Sequence, residues 1–158
     1  MRTLICFLIS IVIITIIAIK SISFDVNCGD YLKRAANANT VELAIENLEA
    51  ALAYIEENNL TSGNTGVIYK SPADDIKFWY SNIKSSYEEL KSISSDASIL
   101  EKSNALMKLR ESIIENGEKG EYLICPDNIS QYPNNALFLF LKILSIIVLC
   151  ISPFFTKY

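Results

Sequence analysis

Residues 41–58 read VELAIENLEAALAYIEEN, and residues 76–91 read IKFWYSNIKSSYEELK. In each stretch an apolar residue recurs at alternating spacings of four and three, the spacing of one face of a helix. The two seams are Val41, Ile45, Leu48, Leu52 and Ile55, then Ile76, Tyr80, Ile83, Tyr87 and Leu90. Each position of the second seam follows its counterpart by 35 residues. The pattern therefore predicts two helices that pack against each other.

Charged residues beside both seams predict an antiparallel register. Three glutamates and three lysines each repeat every seven positions. Such charges flanking an apolar seam set pairing and orientation more than stability. In an antiparallel hairpin centred on Gly66-Val67, the expected ion pairs are Glu56–Lys77, Glu49–Lys84 and Glu42–Lys91.

The ends of these helices carry their own signals. Ser71 followed by Pro72 predicts the start of the second helix, with serine as the N-cap and proline at the first helical position. Upstream, Tyr31, Ala35 and Ala38 continue the first apolar stripe, so we expect one helix over residues 30–58. A capping box of Asn39 and Glu42 is the alternative, and it would break that helix.

A third helix is predicted between a capping box at residues 98–101 (SILE) and a stop signal at Asn116-Gly117. Its broad apolar face consists of Ile99, Leu100, Leu106, Met107, Leu109, Ile113 and Ile114. The predicted fold class is all-α: an antiparallel helical hairpin plus a third helix, forming a small bundle.

Both ends of the chain read as membrane segments. Residues 3–19 carry no charge, and residues 136–155 carry one, Lys142, whose amine could snorkel toward the interface. At about 1.5 Å per residue, such helices span about 26–30 Å, close to a bilayer core. The predicted division is an N-terminal transmembrane segment (1–23), a soluble domain (24–133) and a C-terminal transmembrane segment (134–158). Two alternatives stay open: a pair of buried core helices, and a signal peptide cleaved near residues 21–23.

The soluble domain is acidic. Residues 24–133 hold 10 basic and 18 acidic residues, a net charge of −8. A nucleic-acid partner is not expected, because binding a phosphate backbone needs clustered Lys and Arg. The expected partners are membrane lipid and either another membrane protein or a second copy of the chain.

The side of the membrane is predicted from charge and cysteine. Arg2 and Lys157 favour cytoplasmic termini, although Lys20, Lys33 and Arg34 lie on the domain side of the first segment. Cys28 and Cys125 bracket the domain, and a disulfide between them would require an oxidising compartment. Unpaired thiols are the alternative. Together these features favour a two-pass protein with its domain outside the cytoplasm, in a periplasm or lumen.

Residues 60–80, LTSGNTGVIYKSPADDIKFWY, contain the candidate partner surface. The glycines and asparagine predict a bend. Phe78 points away from the seam on the helical wheel, so it is either covered by Ile68 or Tyr69 or left for a partner. With Trp79, these residues form the predicted surface.

The composition limits the chemistry. The chain has no histidine and no Cys-x-x-Cys, so histidine bases, the common nucleophile pairs and zinc sites are not expected. No catalytic, cofactor or metal-binding residue is predicted, and the favoured function is a non-catalytic, membrane-anchored interaction or assembly module. A carboxylate-dependent enzyme or transport accessory subunit, and a passive self-associating spacer, are the alternatives.

Four phrases carry a resemblance: LTSGNT at 60–65, FWYSN at 78–82, LEKSNALMKLRE at 100–111 and YPNN at 132–135. On these, the chain resembles a group of small, uncharacterised, membrane-anchored helical proteins of bacteria, cyanobacteria especially. The likeness covers about residues 30–135. It implies a bacterial source and no catalytic residue, because no activity is established for that group.

Overall fold

The computed structural model describes the backbone of residues 2–118 and 120–155, and the side chains of residues 8–118 and 120–147. The chain is mostly helical, as predicted. The elements in chain order are α1 (Arg2–Phe24), a π-helical turn (Asp25–Gly29), α2 (Asp30–Ala36), α3 (Val41–Glu57), a 3-10 turn (Pro72–Asp74), α4 (Ile76–Ser92), α5 (Ile99–Ile113), β1 (Ile114–Gly117), β2 (Gly120–Leu123), a second 3-10 turn (Ile129–Gln131) and α6 (Asn135–Phe155).

The N-terminal apolar helix continues into the domain without a break. The backbone stays helical from α1 through the π-helical turn into α2, so no linker marks the predicted boundary at residues 23–24. Within the described residues, Leu8–Ala36 is long and apolar enough to cross a membrane, and only 11% of its most apolar window is buried. The two ends Arg2 and Lys157, used above to predict sidedness, lie outside the described side chains.

The single helix predicted over residues 30–58 is wrong, because the chain breaks between α2 and α3. Thr40 adopts an extended conformation, and its side chain accepts a hydrogen bond from the backbone nitrogen of Leu43 at 3.2 Å. The N-cap is therefore Thr40 and not Asn39. The break lets α2 fold back against α3.

The predicted antiparallel packing of α3 against α4 is present. The seams form the centre of the core, with Leu48, Ile55, Ile76 and Leu90 almost fully buried. Leu32 of α2 and Leu109 and Ile113 of α5 close the core from the other side.

The last part of the domain differs from the prediction. α5 ends at Ile113, and the strands β1 and β2 that follow pair antiparallel, from Ile114 opposite Leu123 to Gly117 opposite Gly120. Only the C-terminal half of the predicted apolar face is buried, because Ile99, Leu100 and Met107 lie exposed. The third helix thus ends shortly before its predicted stop signal at Asn116-Gly117, and Ile124, just after β2, accepts a hydrogen bond from the indole of Trp79 in α4.

The helix α6 leaves the domain beside α1, and the two helices pack along each other. Lys20, near the end of α1, places its amine 5.9 Å from the ring centre of Phe138, near the start of α6. The shorter part of α6 with described side chains, Asn135–Ile147, is apolar. A membrane-crossing role for α6 stays a prediction.

Candidate functional site

Trp79 belongs to the core and not to the predicted partner surface. It is 6% exposed, its ring centre lies 6.5 Å from that of Phe24, and its Nε1–H donates to the carbonyl oxygen of Ile124 at 2.8 Å. The physical reason is the β-hairpin, which returns the chain across this face of α4. Trp79 therefore ties three parts of the chain together: the end of α1, α4 and the segment after β2.

Phe78, the neighbouring residue, is 64% exposed. The predicted cover by the loop is wrong, since Ile68 and Tyr69 are themselves 73% and 85% exposed. Phe78 lies at the edge of a groove of about 510 Å³ that also includes Asn82, Ile124 and Pro126. Phe78 thus contributes an exposed aromatic ring to a groove whose other lining residues are both polar and apolar.

The loop between α3 and α4 is held at its base. The backbone nitrogen of Ile76 donates to the carbonyl of Gly63 at 3.1 Å, and that of Thr65 donates to the carbonyl of Asp74 at 3.0 Å. Gly63 has a φ of +115°, and a side chain there would collide with the hydroxyl of Tyr132. The hairpin is therefore pinched at Gly63, and residues 65–69 extend beyond it toward α6.

This extension forms one wall of a cavity of about 290 Å³ at the junction of the domain and α6. The opposite wall consists of residues from the 3-10 turn region and the first turns of α6, namely Asp127, Asn128, Gln131, Asn135, Leu139 and Lys142. The amine of Lys142 lies 3.3 Å from the side-chain oxygen of Gln131. It therefore reaches from α6 back toward the domain, the direction expected for a snorkelling lysine.

The ion pairs between α3 and α4 form one heptad away from the predicted register. Lys84 lies 3.1 Å from Glu56, and Lys91 lies 4.0 Å from Glu49. The hairpin is thus centred near residue 70 and not at Gly66-Val67. Glu42 and Lys77 form no ion pair with any residue that the structure describes.

Two seam tyrosines, which the sequence analysis treated only as packing residues, complete these pairs. The hydroxyl of Tyr80 donates to Glu56 at 2.7 Å, and that of Tyr87 donates to Glu49 at 2.7 Å. The hydrogen bonds from Tyr80 and Lys84 lower the pKa of Glu56. A tyrosine four positions before a lysine of the charged stripe, one helical turn away, was the available signal.

The lowered pKa of Glu56 predicts a pH-dependent contribution to stability. A carboxyl whose pKa is lower in the folded state stabilises the fold above its unfolded pKa, about 4.3, and loses that contribution as the pH falls through the folded value. Glu56→Gln should therefore lower the unfolding midpoint at pH 7, and the difference from wild type should shrink toward pH 3. Denaturant unfolding at both pH values measures this.

Glu46→Gln is the matched control, because it removes the same charge from the same helix at an exposed position beyond the first turn, without an ion pair among the described residues. We expect it to leave the midpoint unchanged at both pH values. A deficit of Glu56→Gln that stays constant from pH 7 to pH 3 would contradict the assigned hydrogen bonds.

Cys28 and Cys125 are free thiols in the structure. Cys28 is fully buried in the π-helical turn, where burial and then the nearby Cys125 raise the pKa of its thiol. Burial is also the main cause that raises the pKa of Cys125 to about 11. The two thiols are close enough to influence each other, and the disulfide between them stays a prediction.

Three of the four acidic residues in the adjacent pairs Asp74-Asp75 and Glu88-Glu89 have structural partners. Asp74 accepts from the backbone nitrogen and hydroxyl of Ser71, Asp75 caps α4 through the backbone nitrogen of Phe78, and Glu89 pairs with Lys108 at 2.6 Å. The backbone bond from Ser71 is the main cause that lowers the pKa of Asp74. Within the described residues no cluster of three His, Cys, Asp or Glu side chains could hold a metal ion.

Comparison of the chain with protein-family models, with curated proteins and with solved structures finds no match. The resemblance to membrane-anchored bacterial proteins therefore stays a prediction.

Proposed function

We propose that the chain is a two-pass membrane protein whose helical domain lies outside the cytoplasm and acts as a non-catalytic interaction module. The observation that carries the proposal is the pair α1 and α6, which present apolar side chains outward from a domain that is otherwise well packed. A small polar domain with two such helices side by side fits a bilayer as their surroundings.

The exposure along these helices supports membrane anchoring. At least 44% of the side chain is exposed at Leu8, Ile9, Ile11, Val12, Ile14, Ile16, Ile19 and Ile22 of α1, and at Leu137, Phe140, Ile143, Leu144, Ile146 and Ile147 of α6. In water this surface would be costly, at about 25 cal/mol for each Å² of apolar area. In a bilayer it is the expected lipid-facing surface.

The sidedness rests on charge and on the cysteines. The domain is acidic, and Arg2 and Lys157 at the ends of the chain favour the cytoplasm under the positive-inside rule. The neighbouring thiols Cys28 and Cys125 would bridge in an oxidising compartment.

The proposed partner surface is the groove edged by Phe78. An aromatic ring that is 64% exposed beside a groove is a typical anchor point for a partner, because aromatic residues contribute strongly to binding when a partner covers them. Ile68 and Tyr69 lie on the other side of the loop, toward α6, and belong to a different surface. We assign the Phe78 groove to a second membrane protein.

Phe78→Ala tests this assignment. We expect unfolding free energy to change by less than about 0.5 kcal/mol, because the ring is exposed. Recovery of the partner should fall at least about tenfold, as for a loss of about 2 kcal/mol at an interface. The measurement is quantitative co-purification from crosslinked native membranes, compared with thermal unfolding of the same variant.

Ile99→Ala is the control, since Ile99 is an 88% exposed apolar residue at the other end of the α4–α5 pair. Crosslinks of the chain to itself alone would favour the self-associating spacer. Equal recovery of a partner by wild type and Phe78→Ala would contradict the proposed surface.

The alternative of a carboxylate-dependent enzyme has weaker support. Asp74 and Asp127 do line one cavity, but the bonds from Ser71 to Asp74 keep that carboxyl ionised at neutral pH, which does not suit a proton donor.

A further inference from the structure

The cavity between the loop and α6 has a composition that suits a specific ligand. It lies where the helix α6 leaves the domain, so under the proposed membrane anchoring it opens at the membrane interface. Its walls include the exposed apolar residues Val67, Ile68 and Tyr69 on one side and Leu139 of α6 on the other. Apolar loop residues beside a membrane helix at this level are expected to enter the interface.

Side chains of both charge signs line the cavity. The backbone of Lys142 lies about 10 Å along the helix axis from Asn135, but its amine reaches back and lies 3.3 Å from the side-chain oxygen of the neutral Gln131. The carboxylates of Asp127 and Asp74 line the end of the cavity that belongs to the domain. Asp127 forms no ion pair with the residues that the structure describes.

A buried polar atom in the wall also lacks a partner. Asn135 is 8% exposed, and its amide nitrogen donates to the carbonyl of Asn128 at 3.0 Å. Its side-chain oxygen accepts no hydrogen bond from the described residues. Buried polar atoms normally have a partner, so this oxygen favours a ligand that can donate a hydrogen bond.

We infer that this cavity binds the headgroup of a zwitterionic phospholipid with a primary amine, as in phosphatidylethanolamine, with the phosphate at Lys142 and the ammonium at Asp127. The cationic amine and the carboxylates that line the same cavity match the phosphate and the ammonium of such a headgroup. The primary ammonium donates hydrogen bonds, which the Asn135 oxygen and the carboxylates can accept. Leu139 and the apolar loop residues then border the upper acyl chains. The inference rests on the proposed membrane anchoring.

The test uses the full-length chain in detergent micelles with equimolar dioleoyl-phosphatidylethanolamine, dioleoyl-phosphatidylcholine and dioleoyl-phosphatidylglycerol. Native mass spectrometry measures which lipid stays bound. We expect the ethanolamine lipid to be retained in clear excess over the choline lipid, whose ammonium carries three methyl groups and donates no hydrogen bond. Equal retention of these two lipids by the wild type would overturn the inference.

Two variants separate the two charges. Lys142→Gln should lower the retention of all three lipids roughly tenfold or more, because each lipid carries the phosphate that the amine would bind. Asp127→Asn should lower the retention of the ethanolamine lipid to that of the choline lipid. It should not lower the retention of phosphatidylglycerol. Retention unchanged in both variants would also overturn the assignment.

Matched controls make the same charge changes elsewhere. Lys77→Gln and Asp96→Asn alter exposed residues outside the cavity and should leave lipid retention unchanged. Soluble glycerophosphoethanolamine separates two sources of the same chemistry. If it displaces the lipid at equal concentration, the cavity binds a soluble phosphate ester, and the lipid assignment is wrong.

Alkaline carbonate extraction of membranes that carry the wild-type chain tests membrane anchoring independently of lipid binding. The proposed function and the headgroup site can therefore fail separately. Release of the chain by carbonate would contradict membrane anchoring. Retention in the membrane without an ethanolamine preference would contradict the headgroup site alone.

Discussion

Replacing Trp79 with alanine is expected to lower the free energy of unfolding by about 3–5 kcal/mol, the usual cost of removing a large buried aromatic side chain. The reason is its position: the ring packs against Phe24, and the indole N–H donates to Ile124 at 2.8 Å. The same change at the next residue, Phe78→Ala, should cost less than about 0.5 kcal/mol, because that ring is exposed.

Denaturant unfolding of the full chain in mixed micelles, followed by far-ultraviolet circular dichroism, measures both. Trp79→Phe adds an intermediate case: it keeps most of the packing and removes the hydrogen bond, with an expected cost of about 0.5–1.5 kcal/mol from that bond. Similar losses for Trp79→Ala and Phe78→Ala would contradict the placement of the two rings.

Placing arginine at both Ile14 and Ile146 is expected to release the chain from carbonate-washed membranes. These residues are 62% and 61% exposed on α1 and α6, about 15 Å along each helix from the domain. Arginine at the centre of a membrane helix raises the insertion free energy by about 2.5–3.5 kcal/mol. Each single variant should keep one anchor and be released only in part.

Leucine at the same two positions is the control and should leave the chain in the membrane. Arginine at Ile99, which is even more exposed but lies in the domain, should also have no effect on extraction. If the double arginine variant stays in the membrane, α1 and α6 are not both lipid-facing, and the two-pass arrangement is wrong.

The sequence predicted the packing of α3 on α4 well but could not fix its register. Apolar seams and charged stripes that repeat every seven residues fit equally well after a shift of seven. The backbone hydrogen bond from Ile76 to Gly63 decides the register. This bond depends on where the loop bends, and a seven-residue repeat in the helices carries no information about that position. Tyr80 and Tyr87 then add hydrogen bonds that favour the observed pairs.

The candidate cavity was harder to predict, because its walls come from three separated parts of the chain and none of them carries a motif. Lys142 was the one visible signal, a single charge in an apolar run. Its snorkelling direction followed from the sequence, whereas the neighbouring Gln131, Asn135 and Asp127 become meaningful only through the fold. Likewise, Asn116-Gly117 indicated the end of α5. The same two residues are equally typical of the end of a strand before a hairpin turn, which is where they lie.

Under the proposed anchoring, the unbroken helix from α1 into α2 makes the domain a rigid extension of the membrane-spanning α1. Thirty-five helical residues extend about 50 Å, and no flexible linker absorbs a change in direction. Membrane helices are tilted by about 20° on average, and a helix longer than the hydrocarbon core adapts to a thinner bilayer by tilting. Over the roughly 30 Å that separate the interface from the far side of a domain of this size, such a tilt displaces the domain surface by about 10 Å. Under the proposed anchoring, the thickness of the surrounding bilayer would thereby affect which direction the Phe78 groove faces.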